Sequence, residues 1–174
     1  MLATPHLLVG AAIGKAVRRP WLALPAAVAS HFLLDCVPHL DTHGLFGIKG
    51  GPVTRAETAG AAVDTVVGAA LVIWLTRRQS RRALLLWCAF AGAAVDLFYN
   101  VPPWGRWFSA WPGTAWLGAL HDRSSHAVGP DQWPLGFGTQ AAVVALALLV
   151  LRGRRGHLPD EPAGAISPDP SGAF

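Results

Sequence analysis

The chain has 174 residues, room for one domain, and is 52% hydrophobic against 14% charged, with a mean hydropathy of +0.38. Its charges are clustered between long uncharged tracts, which excludes an ordinary soluble domain and describes a polytopic membrane protein. The net charge of +4 requires no nucleic-acid partner, because basic residues biased to one set of loops account for it.

Five apolar tracts follow in chain order, so the expected fold is an all-α polytopic integral membrane bundle of about five transmembrane helices. The first, from Pro5 to Val17, is short and carries Gly10 and Gly14 in a small-xxx-small spacing that admits a close helix neighbour. No Lys or Arg precedes it, which argues against a secretory signal peptide. The second runs from Trp21 to Val37 and stops at Pro38, because the residue before a proline is pushed out of the helical region. The third is Ala56 to Thr76, the fourth Ala83 to Val101, and the fifth Leu135 to Leu151, which has neither charge nor histidine. Residues 1–152 are thus expected to form a transmembrane helical domain, followed by a disordered tail over 153–174, rich in Pro, Gly and acidic residues.

The basic residues set an orientation. Lys15, Arg18 and Arg19 follow the first tract, Arg77, Arg78, Arg81 and Arg82 the third, and Arg152, Arg154 and Arg155 the fifth. The opposite side receives only Lys49, Arg55, Arg106 and Arg123. If all five tracts span, the positive-inside rule puts the N-terminus outside a cytoplasmic membrane and the tail in the cytoplasm. Cys36 and Cys88 then lie near opposite ends of their helices and are not expected to pair.

This orientation gathers the chemistry at one end. Every histidine except His157 falls on the outer side, and the stretch SHFLLDCVPHLDTH holds His31, Asp35, His39, Asp41 and His43. His31, Asp64 and Asp96 each lie roughly 9 to 12 Å below the outer end of a different helix. Asp35, four residues after His31, shares its helical face. His6 enters from the first helix, and HDRSSH brings His121 and His126 from the loop before the fifth.

Ionisable groups are expensive to keep at membrane depth, and imidazole with carboxylate is a ligand set for a divalent ion, Zn²⁺ first, with Mn²⁺ or Fe²⁺ also served. The expected ligands are His6, His31, Asp35, His39, Asp41, His121 and His126. An open metal position lowers the pKa of a bound water to about 7. Asp64 or Asp96 would act as general base, and Arg123 would steady a phosphate or carboxylate. Trp104, Trp107, Trp111 and Trp116 between Val101 and Leu120 favour the membrane interface, which puts lipid headgroups beside the site.

TPHLLVGAAIG at the N-terminus, the VPHLDTH run and HDRSSHA together resemble the membrane-bound metal-dependent hydrolases of bacterial inner membranes. Members of that family are small helical membrane proteins with an N-terminal histidine, a short acidic run after an LLP-type turn, and an HRGxTHS element. His121 and His126 keep the five-residue step of that element, with Ser125 at the threonine position and Asp122 at the arginine position. The family's P-D-x-D-H appears as Pro38, His39, Leu40, Asp41, Thr42, His43. The resemblance spans roughly residues 1–150 and implies metal-dependent hydrolysis, for which a phospholipid or other lipid-linked ester is the expected substrate class.

Two rivals stand beside it. In a transporter or proton relay, Asp64, Asp96 and His31 would form a polar path, but the inner half of the bundle has no matching acidic or histidine residues to complete it. In a non-catalytic scaffold, a metal would only staple helices together.

Overall fold

The apolar tracts fold as five long helices, and shorter helices cover one end of the bundle. The computed structural model describes residues 1–46, 53–101 and 104–153. Lys49, Pro102, Arg154, Arg155, His157 and the expected tail beyond residue 153 lie outside the described residues. The long helices are α1 (Ala3–Ala16), α2 (Pro20–Asp35), α4 (Arg55–Thr76), α5 (Arg82–Asn100) and α8 (Trp133–Arg152). Between them run α3 (Thr42–Phe46), α6 (Trp104–Ala110) and α7 (Ala115–Ser124). The Trp-rich stretch is therefore mostly helical. Among the described residues there is no strand, only an isolated bridge pairing His39 with Ala127.

Local signals account for the helix ends. Pro20 begins α2, where its missing N–H costs nothing. α2 ends at Asp35, two residues short of the expected limit. Thr54 and Glu57 cap α4 reciprocally: the Glu57 N–H donates to Thr54 Oγ1 and the Thr54 N–H to Glu57 Oε2, both at 3.2 Å.

α1 lies at the centre and packs against α2, α4, α5 and α8. Its small and apolar residues surround it on all sides, as a helix buried all round requires. The contact with α5 is the tightest: a Cβ at Gly10 would overlap the Cys88 carbonyl, and one at Gly14 would lie 3.0 Å from Cys88 Cβ. The small-xxx-small spacing therefore meets α5, and a Cβ at Gly92 would come 2.7 Å from the His6 carbonyl across the same seam. Cys36 is exposed, Cys88 is buried, and both thiols are free.

Hydrogen bonds pin the two ends. At one end the Leu2 N–H donates to Gln140 Oε1 and the first turn of α1 meets Asp64 of α4. At the other, Lys15 Nζ donates to the carbonyls of Leu151 (2.6 Å) and Gly153 (2.7 Å), and Arg81 donates to the Arg18 carbonyl.

α4, α5 and α8 are long and apolar enough to cross a membrane. α1 and α2, with 14 and 16 residues, are shorter than the roughly 20 wanted for a full crossing. The bundle turns large apolar side chains outward: Leu33, Val66 and Leu149 are 70%, 67% and 69% exposed. An exposed apolar surface on this scale is compatible with a lipid neighbour.

The α1–α5 seam yields a stability test. Gly10→Val should lower stability by about 1–3 kcal/mol or more through overpacking. Gly138→Ala meets nothing within 4 Å and should be neutral or slightly stabilising through helix propensity. Thermal unfolding of both variants in detergent checks the contrast.

Candidate metal centre

The cluster is assembled by four helices and one loop. α1 supplies His6, α2 supplies His31 and Asp35 one turn apart, α5 supplies Asp96, and α7 supplies His121. His39 comes from the segment just after α2, and a short ladder holds that segment in place. The His126 N–H donates to the Asp35 carbonyl (2.9 Å), the His39 N–H to the His126 carbonyl (3.2 Å), and the Val128 N–H to the His39 carbonyl (2.8 Å). Leu40 wedges against Gly136 of α8, and Thr139 Oγ1 donates to the Pro38 carbonyl.

Four imidazoles and two carboxylates meet at this point. Asp35 Oδ1 lies 3.3 Å from His6 Nε2 and 3.9 Å from His39 Nε2. Asp35 Oδ2 lies 3.3 Å from His31 Nε2 and 3.7 Å from His121 Nε2. Asp96 Oδ1 lies 3.0 Å from His121 Nε2 and 3.7 Å from His31 Nε2, and its Oδ2 lies 3.9 Å from His6 Nε2. Two ligands on one tetrahedral zinc are about 3.4 Å apart, so these separations suit a shared ion. One ligand atom each from His31, Asp35, Asp96 and His121 falls within 4.8 Å of the others, and this group is able to hold a metal ion.

Burial and hydrogen bonding prepare the ligands. His6, His31 and His39 are fully buried, whereas Asp96 is 23% and His121 13% exposed, which marks the open side of the cluster. His31 Nδ1–H donates to the Gly92 carbonyl (3.0 Å) and His39 Nδ1–H to the Val37 carbonyl (2.8 Å). Each bond leaves the Nε2 lone pair facing inward, the tautomer and orientation a metal ligand needs. Nε2 of His6, His31 and His39, and Oδ2 of Asp35, are buried without a hydrogen-bond partner. Such atoms are costly unless something binds them.

Burial lowers the pKa of His39, keeping it neutral and ready to coordinate. The hydrogen bond to Asp96 raises that of His121, so a cation must displace the proton held between them. His121 Nδ1 meanwhile faces Asp122 Oδ1 at 3.9 Å. The amino group of Met1 donates to Asp35 Oδ1 at 2.7 Å.

Of the expected ligands, His6, His31, Asp35, His39 and His121 come together, and Asp96, read from sequence as a base, stands among them. The others serve elsewhere. Asp41 Oδ1 accepts the Gly44 N–H (2.6 Å) at the start of α3. The exposed His126 contributes its backbone to the ladder, and its Nδ1 lies 3.4 Å from the Ser124 carbonyl. Asp64 accepts from the Thr4 N–H (3.1 Å) and Thr4 Oγ1 (2.7 Å), capping α1 from a neighbouring helix. Arg123 is exposed on α7 with no side-chain hydrogen bond or ion pair among the described residues. His43 pairs instead with buried Glu57 at 3.2 Å, a partner the sequence reading did not single out although its Thr-x-x-Glu spacing announces a cap.

No family model matches the chain, and neither curated proteins nor solved structures match it. Among the described residues the structure by itself defines an all-helical protein with three helices suited to crossing a membrane and a largely buried His/Asp cluster able to hold a metal ion.

The capping roles separate by measurement. Asp64→Ala and Asp41→Ala should each cost roughly 1 kcal/mol of stability while leaving bound metal per chain unchanged. Elemental analysis beside thermal unfolding tests this; loss of metal from Asp64→Ala would return Asp64 to the centre.

Proposed function

We propose that this chain is a metal-dependent hydrolase of the cell membrane, of the kind the VPHLDTH and HDRSSHA runs resemble, with its site on the outer face and a phospholipid or lipid-linked ester as substrate. The observation that carries the reading is the set of buried Nε2 atoms of His6, His31 and His39, none of them in a hydrogen bond, gathered within 3.3 to 3.9 Å of the Asp35 and Asp96 carboxylates. A purely structural polar core would have spent those lone pairs on donors. A proton relay would need a continuing polar path, whereas at the other end of α1 Lys15 closes on backbone carbonyls.

A divalent ion, zinc first, would supply Lewis acidity to an ester or phosphoryl oxygen and acidify water for attack. The protein's own residues do the rest. Carbonyls of Gly92 and Val37 fix two imidazoles, Asp35 and Asp96 offset the cation's charge, and the buried wall of α1 and α2 keeps bulk water from one side. Asp96 works as a ligand and not as a detached base.

The open side, at Asp96 and His121, adjoins the aromatic cover. α7 carries both His121 and the 61% exposed Trp116, and α6 packs on α5 with Trp107 65% exposed. Indole settles at the headgroup layer, where an ester of a lipid would arrive.

Purified protein loaded with zinc should release headgroup or acyl product from mixed bacterial lipids, and chelation should stop it. His31→Ala should cut turnover by about 100-fold or more together with metal content. Metal-loaded protein that releases nothing from a broad ester panel would leave the cluster as a staple between helices.

Orientation has its own test. A single cysteine at Thr42, with Cys36 and Cys88 replaced, should react with an impermeant thiol reagent in intact cells, while one at Gln79 should react only after permeabilisation. The reverse pattern would move the site to the cytoplasm.

A further inference from the structure

The eight side-chain atoms at the centre divide into two sets. His31 Nε2 and His121 Nε2 face Asp35 Oδ2 and Asp96 Oδ1, at separations of 3.0 to 3.7 Å. His6 Nε2 and His39 Nε2 face the other oxygen of Asp35, and His6 also faces the other oxygen of Asp96, at 3.3 to 3.9 Å. Asp35 thus turns one oxygen to each pair of histidines, and Asp96 turns one to the first pair and the other to His6. Bidentate binding to one ion would aim both oxygens of a carboxylate at the same point; here they aim at different imidazoles.

From this geometry we propose that the site holds two divalent ions bridged by Asp35 and Asp96, one ligated by His31 and His121 and the other by His6 and His39. The proposal rests on the metal-dependent reading above and specifies its ion count.

A single four-coordinate ion is the rival, and its cost is visible. Placed among His31, Asp35, Asp96 and His121, it leaves His39 fully buried with an Nε2 atom that has no hydrogen-bond partner, and leaves buried His6 Nε2 only its 3.3 Å ion-pair approach to Asp35 Oδ1. His39 cannot turn that atom away without breaking the bond from its Nδ1–H to the Val37 carbonyl. His6 is held by burial and by stacking on His31, with ring centroids 4.2 Å apart. A second ion gives both Nε2 atoms a partner, while His6 Nδ1 stays without a hydrogen bond. The Met1 amino group already brings a positive charge to Asp35 Oδ1 on this side, and the ion takes over its place at that oxygen. Two ions bridged by carboxylates stand about 3.5–4 Å apart, the arrangement that clamps both the attacking and the leaving oxygen of a phosphoester. Phosphodiester and phosphomonoester lipids therefore become the favoured substrates over carboxylic esters.

The test reads metal and not turnover, so its failure is distinguishable from failure of the hydrolase reading. Full-length protein in mild detergent is loaded with Mn²⁺ alone, freed of excess, and examined by elemental analysis and low-temperature electron paramagnetic resonance. The expected result is about two ions per chain with the spectrum of an exchange-coupled pair. His39→Ala and His121→Ala, removing one histidine from each set, should each leave about one ion per chain with an uncoupled spectrum. Asp41→Ala should keep both ions and the coupling. If either histidine variant fails to fold, judged by circular dichroism, the wild-type stoichiometry and spectrum decide. One ion per wild-type chain with an isolated-ion spectrum overturns the pair while leaving single-metal hydrolysis standing. Two uncoupled ions also overturn it, and absence of metal overturns both.

Discussion

Two carboxylates and four imidazoles crowded at one end of an apolar bundle are the constraint on which the rest of this structure depends. Each buried polar atom without a partner costs on the order of 1–3 kcal/mol. Several such atoms converge within hydrogen-bonding distance of one another here and remain unpaired. A folded chain tolerates that concentration only if the surrounding backbone holds the groups in place or a bound ion satisfies them. The fold does the first, and the cluster is able to hold an ion for the second.

The backbone's part runs through the close approach of α1 and α5. Gly10, Gly14 and Gly92 let the two helices meet at backbone distance, which brings His6 into the centre and sets the Gly92 carbonyl against His31 Nδ1. One seam therefore determines both packing and ligand orientation. The ladder between residues 37–40 and 126–128 does the same for the other half: it fixes His39, anchors the Asp35 carbonyl, and leads directly from α7, which carries His121. Local stability and the site are difficult to separate at either place, because the same hydrogen bonds serve both.

Asp64 shows how an acidic residue at the right depth serves a different purpose. The sequence tracts put it at a similar expected depth to Asp96, yet its carboxylate meets the open N–H groups at the start of α1. The first turn of α1 needs acceptors, and a carboxylate there also complements the helix dipole. α1 thereby gains its cap from α4, and His6, two residues after Thr4, is positioned by the same contact. Asp41 and Glu57 likewise cap helices and not a metal.

The apolar tracts were legible in the chain as written: long uncharged stretches fold as helices whatever packs around them, and the observed five long helices follow the five tracts closely. Helix rise and the alternation of direction also put His31, Asp64 and Asp96 at roughly one expected depth, since that expectation depends only on residue count. The glycine spacing in α1 announced a close neighbour, though not that α5 is the one. What tertiary structure alone decided was azimuth and partnership. Asp64 and Asp96 are alike in sequence, both ending an AAVD run, and only the rotation of each helix about its axis sends one to cap α1 and the other into the cluster. His126 and His121 are separated by the same logic, because the chain leaves α7 between them and turns the later ring to solvent while its backbone joins the ladder. Periodicity along one helix fixes what shares a face; which face meets which neighbour is set by packing among residues far apart in the chain.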